Sequence, residues 1–162
     1  MNKKTKLLSL DVSSTSTGWA YFENCEYIKS GTLTFNTKEY KGQSDKRLEA
    51  MCLSIIDLLR SVCPDIIVIE KLNVGRNINT TRILSKITGV IYGYSILADD
   101  CFYFEIQPSQ WRSQLGMQSS KLKREEFKQL AIDYIKDRYG KVVCDDEADS
   151  ICAGLGYIKM FT

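Results

Sequence analysis

The chain of 162 residues contains no histidine. That absence excludes Ser-His and Cys-His nucleophilic machinery, HExxH zinc sites and any imidazole general base. A hydrolase built on this sequence must rest its chemistry on carboxylates, and so on metal ions. No apolar run approaches the roughly 20 residues that a membrane span needs. The start "MNKKTKLLSLDV" has the basic residues of a signal peptide, but Ser9 and Asp11 break its apolar stretch at once, so a cytoplasmic protein is expected. The six cysteines, Cys25, Cys52, Cys63, Cys101, Cys144 and Cys152, form no CxxC pair and no metal-ligand spacing. Reduced, mostly buried thiols are expected, with neither a disulfide framework nor a structural zinc.

Acids are missing from two stretches. Between Lys71 and Ala98 the chain carries Lys71, Arg76, Arg82 and Lys86; between Ile106 and Arg124 it carries Arg112, Lys121, Lys123 and Arg124. In a chain of net charge +2 this clustering describes either solvated faces or local surfaces for a polyanion. There is also no internal repeat, low-complexity tract or linker, so residues 1–162 read as a single domain.

What the chain does contain is a change of period. Residues 6–11, 17–23 and 26–35 read as three strands joined by short turns, an antiparallel meander. From Ser44 to Val62, Leu48, Met51, Cys52, Ile55, Ile56, Leu59 and Val62 recur at helical spacing, entered from the "KGQSD" turn. "PDIIVIE" (Pro64 to Glu70) has the β-branched character of a strand covered on both faces. A polar loop at about 72–79 precedes a helix over 80–98, whose Gly89, Gly93 and Ala98 allow close approach of a neighbour. "CFYFEIQP" is a further strand ended by Pro108. Helices follow over 109–115, 120–138 and 146–160. The expected class is α/β, a mixed five-stranded sheet flanked by helices.

Acids stand at the ends of these elements. Asp11 closes the first strand ahead of the run "VSSTSTG", Glu70 closes the buried strand, and Asp146 and Asp149 open the last helix in "CDDEADSICAG". Each has an ordinary explanation. Asp, Ser and Gly are turn residues, and Asp145 or Asp146 would make a good helix N-cap. Glu70 is harder to place in that way. At the edge of a buried strand its charge needs a cation, and Lys71, the next residue, points to the opposite face. Ligand sites in open sheets with parallel strands form outside the carboxyl ends of those strands, where the first and central strands would bring Asp11 and Glu70 together. The i, i+3 spacing places Asp146 and Asp149 on one helical face. Four carboxylates meeting there would repel unless divalent cations held them. Oxygen-only ligands suit Mg²⁺ or Mn²⁺, and two such ions about 4 Å apart suit in-line displacement at a phosphodiester.

The segments "LSLDVSSTSTGWA", "IIVIEKL" and "DDEADSICAG", in that order and near those separations, resemble the motifs of the RuvC-type Holliday junction resolvases of the ribonuclease H-like superfamily. The resemblance covers essentially the whole chain, and shorter phage-encoded resolvases are similar in length. It implies a ribonuclease H-like fold and an Mg²⁺-dependent homodimer that cuts opposed strands of branched DNA. It implies Asp11, Glu70, Asp146 and Asp149 as the metal-binding catalytic acids, and the helix over 80–98 as the dimer face. The DNA-binding candidates are then Arg76, Arg82, Arg112, Lys121, Lys123 and Arg124, with Arg112 and either Lys121 or Lys123 nearest the scissile phosphate. Trp111 reads as a core aromatic or as a base-stacking platform. One departure stands out: after the second acid, resolvases of cellular bacteria place an aromatic wedge, whereas "EKLNVGRNINTT" offers Leu72, Asn73 and Val74. That points to recognition by backbone shape and charge, and to cleavage of forks and flaps as well as junctions.

Three other readings fit parts of the pattern. "LDVSSTSTG" also resembles the first phosphate loop of actin-like ATPases and sugar kinases, which need a second, duplicated domain that 162 residues cannot supply. A non-catalytic branched-DNA-binding module and a ribonuclease of the same superfamily share the fold.

Overall fold

A computed structural model describes residues 4–35, 38–72, 77–117 and 122–162. Its elements run β1 (Lys6–Asp11), β2 (Ser16–Glu23), β3 (Glu26–Thr34), α1 (Ser44–Val62), β4 (Ile66–Glu70), α2 (Ile78–Leu97), β5 (Phe102–Ile106), α3 (Pro108–Gln114), α4 (Arg124–Tyr139) and α5 (Asp145–Phe161). The strands form one sheet in the order β3-β2-β1-β4-β5, antiparallel across β1, β2 and β3 and parallel across β1, β4 and β5. This is the mixed five-stranded sheet that the sequence predicts.

Strand alternation sorts the side chains into two cores. Leu8, Leu10, Ile67 and Ile69 point to one face, where they meet Met51, Ile55 and Leu59 of α1 and Ile87 and Ile91 of α2. Leu7 and Val68 point to the other, where α3, α4 and α5 supply Trp111, Ala131, Ile135, Ile151 and Leu155. β1 and β4 are covered on both sides, which is why their sequences read as nearly continuous apolar runs. α5 lies close against the sheet because it carries glycine where it crosses. A Cβ at Gly154 would collide with the Phe22 ring and the Ser9 hydroxyl, and one at Gly156 with Trp111.

Local signals account for the boundaries that differ from the sequence reading. α2 begins at Ile78 because Asn77 Oδ1 accepts the backbone N–H groups of Asn79 and Thr80, at 3.0 and 3.3 Å. α3 begins on Pro108 itself, whose ring suits the first helical position. α4 starts at Arg124, with the Glu126 carboxylate accepting the Lys123 N–H at 2.6 Å; residues 120 and 121 of the predicted helix lie outside the described residues. The cap of α5 is Cys144, so neither Asp145 nor Asp146 is the N-cap; both lie in the first helical turn. The cysteines are all free, but only Cys152 is buried; Cys25, Cys63 and Cys144 are exposed, against the expectation of mostly buried thiols. Among the described residues no helix is long and apolar enough to cross a membrane.

Candidate active site

Leu10 pairs with Ile69 in the parallel β1–β4 ladder, so the next step along each strand sets Asp11 beside Glu70. Both have the parity of Leu7 and Val68 and therefore face α5. The N-terminus of α5 is brought over them by Gly18, the antiparallel partner of Asp11 on β2. A Cβ at Gly18 would overlap the backbone carbonyl of Asp146, so only glycine admits the helix this close. Ser16 lies near enough to the Asp146 carboxyl to pull its pKa down. The Ser/Thr/Gly run thus does two things. Its Thr17 hydroxyl closes the turn, accepting the Ser13 N–H at 3.1 Å and donating to the Ser13 carbonyl at 2.9 Å, and its Ser16 and Gly18 seat the third acid.

The four acids predicted from sequence are therefore assembled at one end of the sheet, and they repel one another. Burial pushes the Asp11 carboxyl well above the usual carboxylate range, and the charges of Glu70, Asp149, Asp146 and Asp145 push it further. Asp149 is pushed up to about 7, first by burial and then by Glu70. Burial also raises Glu70, against the pull of the Trp111 hydrogen bond and of the Arg112 and Arg124 charges. Burial raises Asp146, with the nearby Ser16 opposing it. Asp145 is different. It bonds Lys128 of α4 at 2.6 Å, which holds it below its ordinary range and takes it out of the set.

The donor set fits hard divalent cations. All four groups are carboxylates, and Asp149 Oδ1 is buried with no hydrogen-bond partner among the described residues, an acceptor left open for a cation. Among the described residues no three acids or thiols stand close enough to enclose one ion as placed, so binding would draw the side chains inward.

Trp111 is fully buried, and its Nε1–H donates to Glu70 Oε2 at 3.2 Å. It is a core residue, as one of the two sequence readings had it, and also holds Glu70 in place, a role the sequence did not signal. Beside it Arg112 is sandwiched between two rings, 4.8 Å from the centre of Trp111 and 4.5 Å from that of Phe127, with its buried Nε unpartnered among the described residues. Its charge reaches both Glu70 and Asp149. Arg124, exposed at the first position of α4, reaches Glu70, and Lys123 is exposed at the cap before it. Arg82 is exposed on α2, and no described interaction links it to the acids. Arg76 and Lys121 lie outside the described residues, as do Asn73 and Val74 of the wedge position; Leu72 is half-buried.

A mixed sheet of this order, with acids at the ends of β1 and β4 and on the helix crossing them, defines the ribonuclease H-like class of fold. Within that class the chain has the fold of the RuvC-type resolvases. It matches RuvC of T. thermophilus in complex with a Holliday junction substrate with a TM-score of 0.71 and 13% identity, over 98% of this chain and 97% of that one. It matches the fowlpox virus resolvase in complex with Holliday junction DNA at 0.61 and 18%, over 96% and 98%. It matches the yeast mitochondrial Holliday junction resolvase Ydc2 at 0.57 and 18%, over 96% and 78%. No protein-family model and no curated protein matches the sequence.

Proposed function

We propose that the chain is a single nuclease domain, spanning residues 1–162, that cuts branched DNA with divalent metal ions, Holliday junctions first and forks or flaps as well. The observation that carries this is the convergence of Asp11, Glu70, Asp146 and Asp149 at the carboxyl ends of β1 and β4, buried and mutually repelling, with one Asp149 oxygen left unpartnered. Charges so placed destabilise a protein that does not bind cations. The likeness to resolvases solved with junction DNA supports the choice of substrate.

In this reading the four acids hold two Mg²⁺ ions, with Mn²⁺ able to substitute. When bound, such a pair supplies an activated water for in-line attack on the phosphodiester and charge stabilisation for the departing oxygen. Trp111 orients Glu70, and Ser16 and Gly18 orient Asp146. Arg112 presents a fixed guanidinium beside Glu70 and Asp149, where it would take a phosphate oxygen of the strand, while Lys123 and Arg124 at the start of α4 extend the cationic surface along the backbone. Lys121, Arg76 and Arg82 would add contacts to more distant phosphates.

The enzyme acts as a cytoplasmic homodimer in DNA recombination, paired through α2. Along one face of that helix a Cβ at Gly89 or Gly93 would meet open space, and Tyr92 and Ile96 are 52% and 66% exposed. Such a face is suited to a second copy. The test is cleavage of labelled four-way junction, fork and linear duplex DNA with Mg²⁺ by the native protein and by Asp149→Asn. Cutting of branched DNA by the native protein alone is expected. Tight binding of junctions by both proteins without cutting would refute the nuclease and leave a binding module. A strong preference for four-way junctions over forks would refute the relaxed selectivity.

A further inference from the structure

The first turns of α5 carry four acids besides a helix dipole, Asp145, Asp146, Glu147 and Asp149, yet only Asp146 and Asp149 belong to the converging set. The two others are each met by a lysine from a different neighbour. Asp145 bonds Lys128 of α4 at 2.6 Å. Glu147 Oε1 accepts from Lys141 Nζ at 2.6 Å and from the Ser30 hydroxyl at 2.5 Å, and its side chain is only 13% exposed. Lys141 Nζ also donates to Ser30 Oγ at 2.8 Å and to the Tyr27 hydroxyl at 3.3 Å, while Tyr27 and Ser30 Oγ lie 2.7 Å apart. The Tyr27 ring is itself wedged against Tyr139 at the end of α4, at 4.6 Å between centres. One knot of four polar groups therefore ties three pieces together: β3, the link from α4 to α5, and the first turn of α5.

We propose that Lys141, acting through Glu147 and Ser30, is a positioning residue for the metal site, fixing the rotation of α5 about its axis so that Asp146 and Asp149 are the acids turned toward Asp11 and Glu70. The geometry gives it this leverage. Residues 146 and 147 are adjacent on the helix, so any rotation that frees Glu147 also carries Asp146 away from Ser16 and from the sheet end. Lys128 braces the opposite flank through Asp145. Neither lysine approaches the converging set as a ligand, since ammonium groups cannot coordinate a cation. Their contribution is to settle which of four neighbouring carboxylates remain available.

This rests on the metal-site reading above, and the sign of one measurement separates it from a simple charge effect. Removing a nearby cation makes the site more negative, which by Coulomb's law alone tightens binding of a divalent ion. Loss of positioning weakens it. Mn²⁺ alone would be titrated calorimetrically into the chelator-treated full chain, with Lys141→Met, Ser30→Ala and Asp149→Asn alongside. Native protein is expected to bind, Asp149→Asn to lose most affinity, and Lys141→Met to bind about 10-fold more weakly, the scale of lost groups behind metal ligands. Ser30→Ala changes no charge and is expected to weaken binding by roughly 3-fold, a part of that loss. It carries the test if Lys141→Met does not fold. Unchanged or tighter Mn²⁺ binding in the variant that folds, with Asp149→Asn impaired, overturns the positioning role while leaving the metal site intact. Failure of native protein to bind Mn²⁺, or equal binding by Asp149→Asn, overturns both.

Discussion

Without metal, the site should cost the protein stability, and the Asp149→Asn substitution measures how much. Burial and the charge of Glu70 raise the folded-state pKa of Asp149 from its ordinary 3.8 to about 7. The folded protein therefore takes up this proton at a higher pH than the unfolded chain does. The neutral carboxyl's contribution to stability is complete below about pH 4 and is lost as pH rises through about 7. A displacement of about three pKa units corresponds to about 4 kcal/mol at 1.36 kcal/mol per unit, an upper bound once solvent and side-chain relaxation act. Asparagine keeps the shape and removes the charge. In urea denaturation with a chelator present, Asp149→Asn should be more stable than native protein by about 2–4 kcal/mol at pH 8, and the two should converge near pH 4. Excess Mg²⁺ should then raise the native midpoint at pH 8 and leave the variant nearly unmoved, because only the native site gains from binding. An Asp149→Asn protein equal to or less stable than native at pH 8 without metal would refute the claim that the acids repel in a buried cluster.

Trp111→Phe fills most of the same core volume but leaves Glu70 Oε2 without its donor, so a stability loss of about 1–3 kcal/mol and reduced cleavage are expected, read by urea denaturation and junction cutting. Gly18→Ala forces the first turn of α5 away from β2; the protein should keep its circular dichroism spectrum while cleavage falls by about 100-fold, the scale of an ångström-sized misplacement. Ile96→Asp places a charge on the open face of α2 and should shift sedimentation from dimer to monomer without loss of fold.

Much of this arrangement is legible in the residues because period and sterics are local. "PDIIVIE" reads as a strand covered on both faces and Leu48 through Val62 as one face of a helix, and both are found where expected. Asp11 and Glu70 are legible as a pair for the same reason, since parallel register follows once both strands are recognised. What the residues do not disclose is anything decided by contact between distant elements. Trp111 gives no sign in "PSQWRSQ" that its indole N–H meets an acid 41 residues earlier. Lys128 and Lys141 look like any helix-surface or loop lysine, and only the packing of α4 and β3 against α5 assigns each an acid. The exposed thiols depart from the expected burial on similar grounds. Cys25 lies in the β2–β3 turn and Cys63 is the left-handed C-cap of α1, at φ of 69° and 48°, so a residue type usually found in cores here sits at the surface.

The run "CDDEADS" shows how one local rule can be both right and insufficient. Acids in a first helical turn are favoured by the dipole, typically by about 0.3–1 kcal/mol each, and that explains Asp145 and Glu147, which keep access to lysines. It does not explain Asp149, beyond the reach of that effect and opposed by burial and by Glu70 on a larger scale. Nor does it explain why Asp146 is placed under a carbonyl contact that tolerates no side chain at residue 18. A binding module with no metal would be more stable with asparagine at 149 and would have no use for the collision-limited approach at Gly18. In the proposed reading the two features serve one end, because the charges that Gly18 and α5 bring together are those that divalent cations would neutralise.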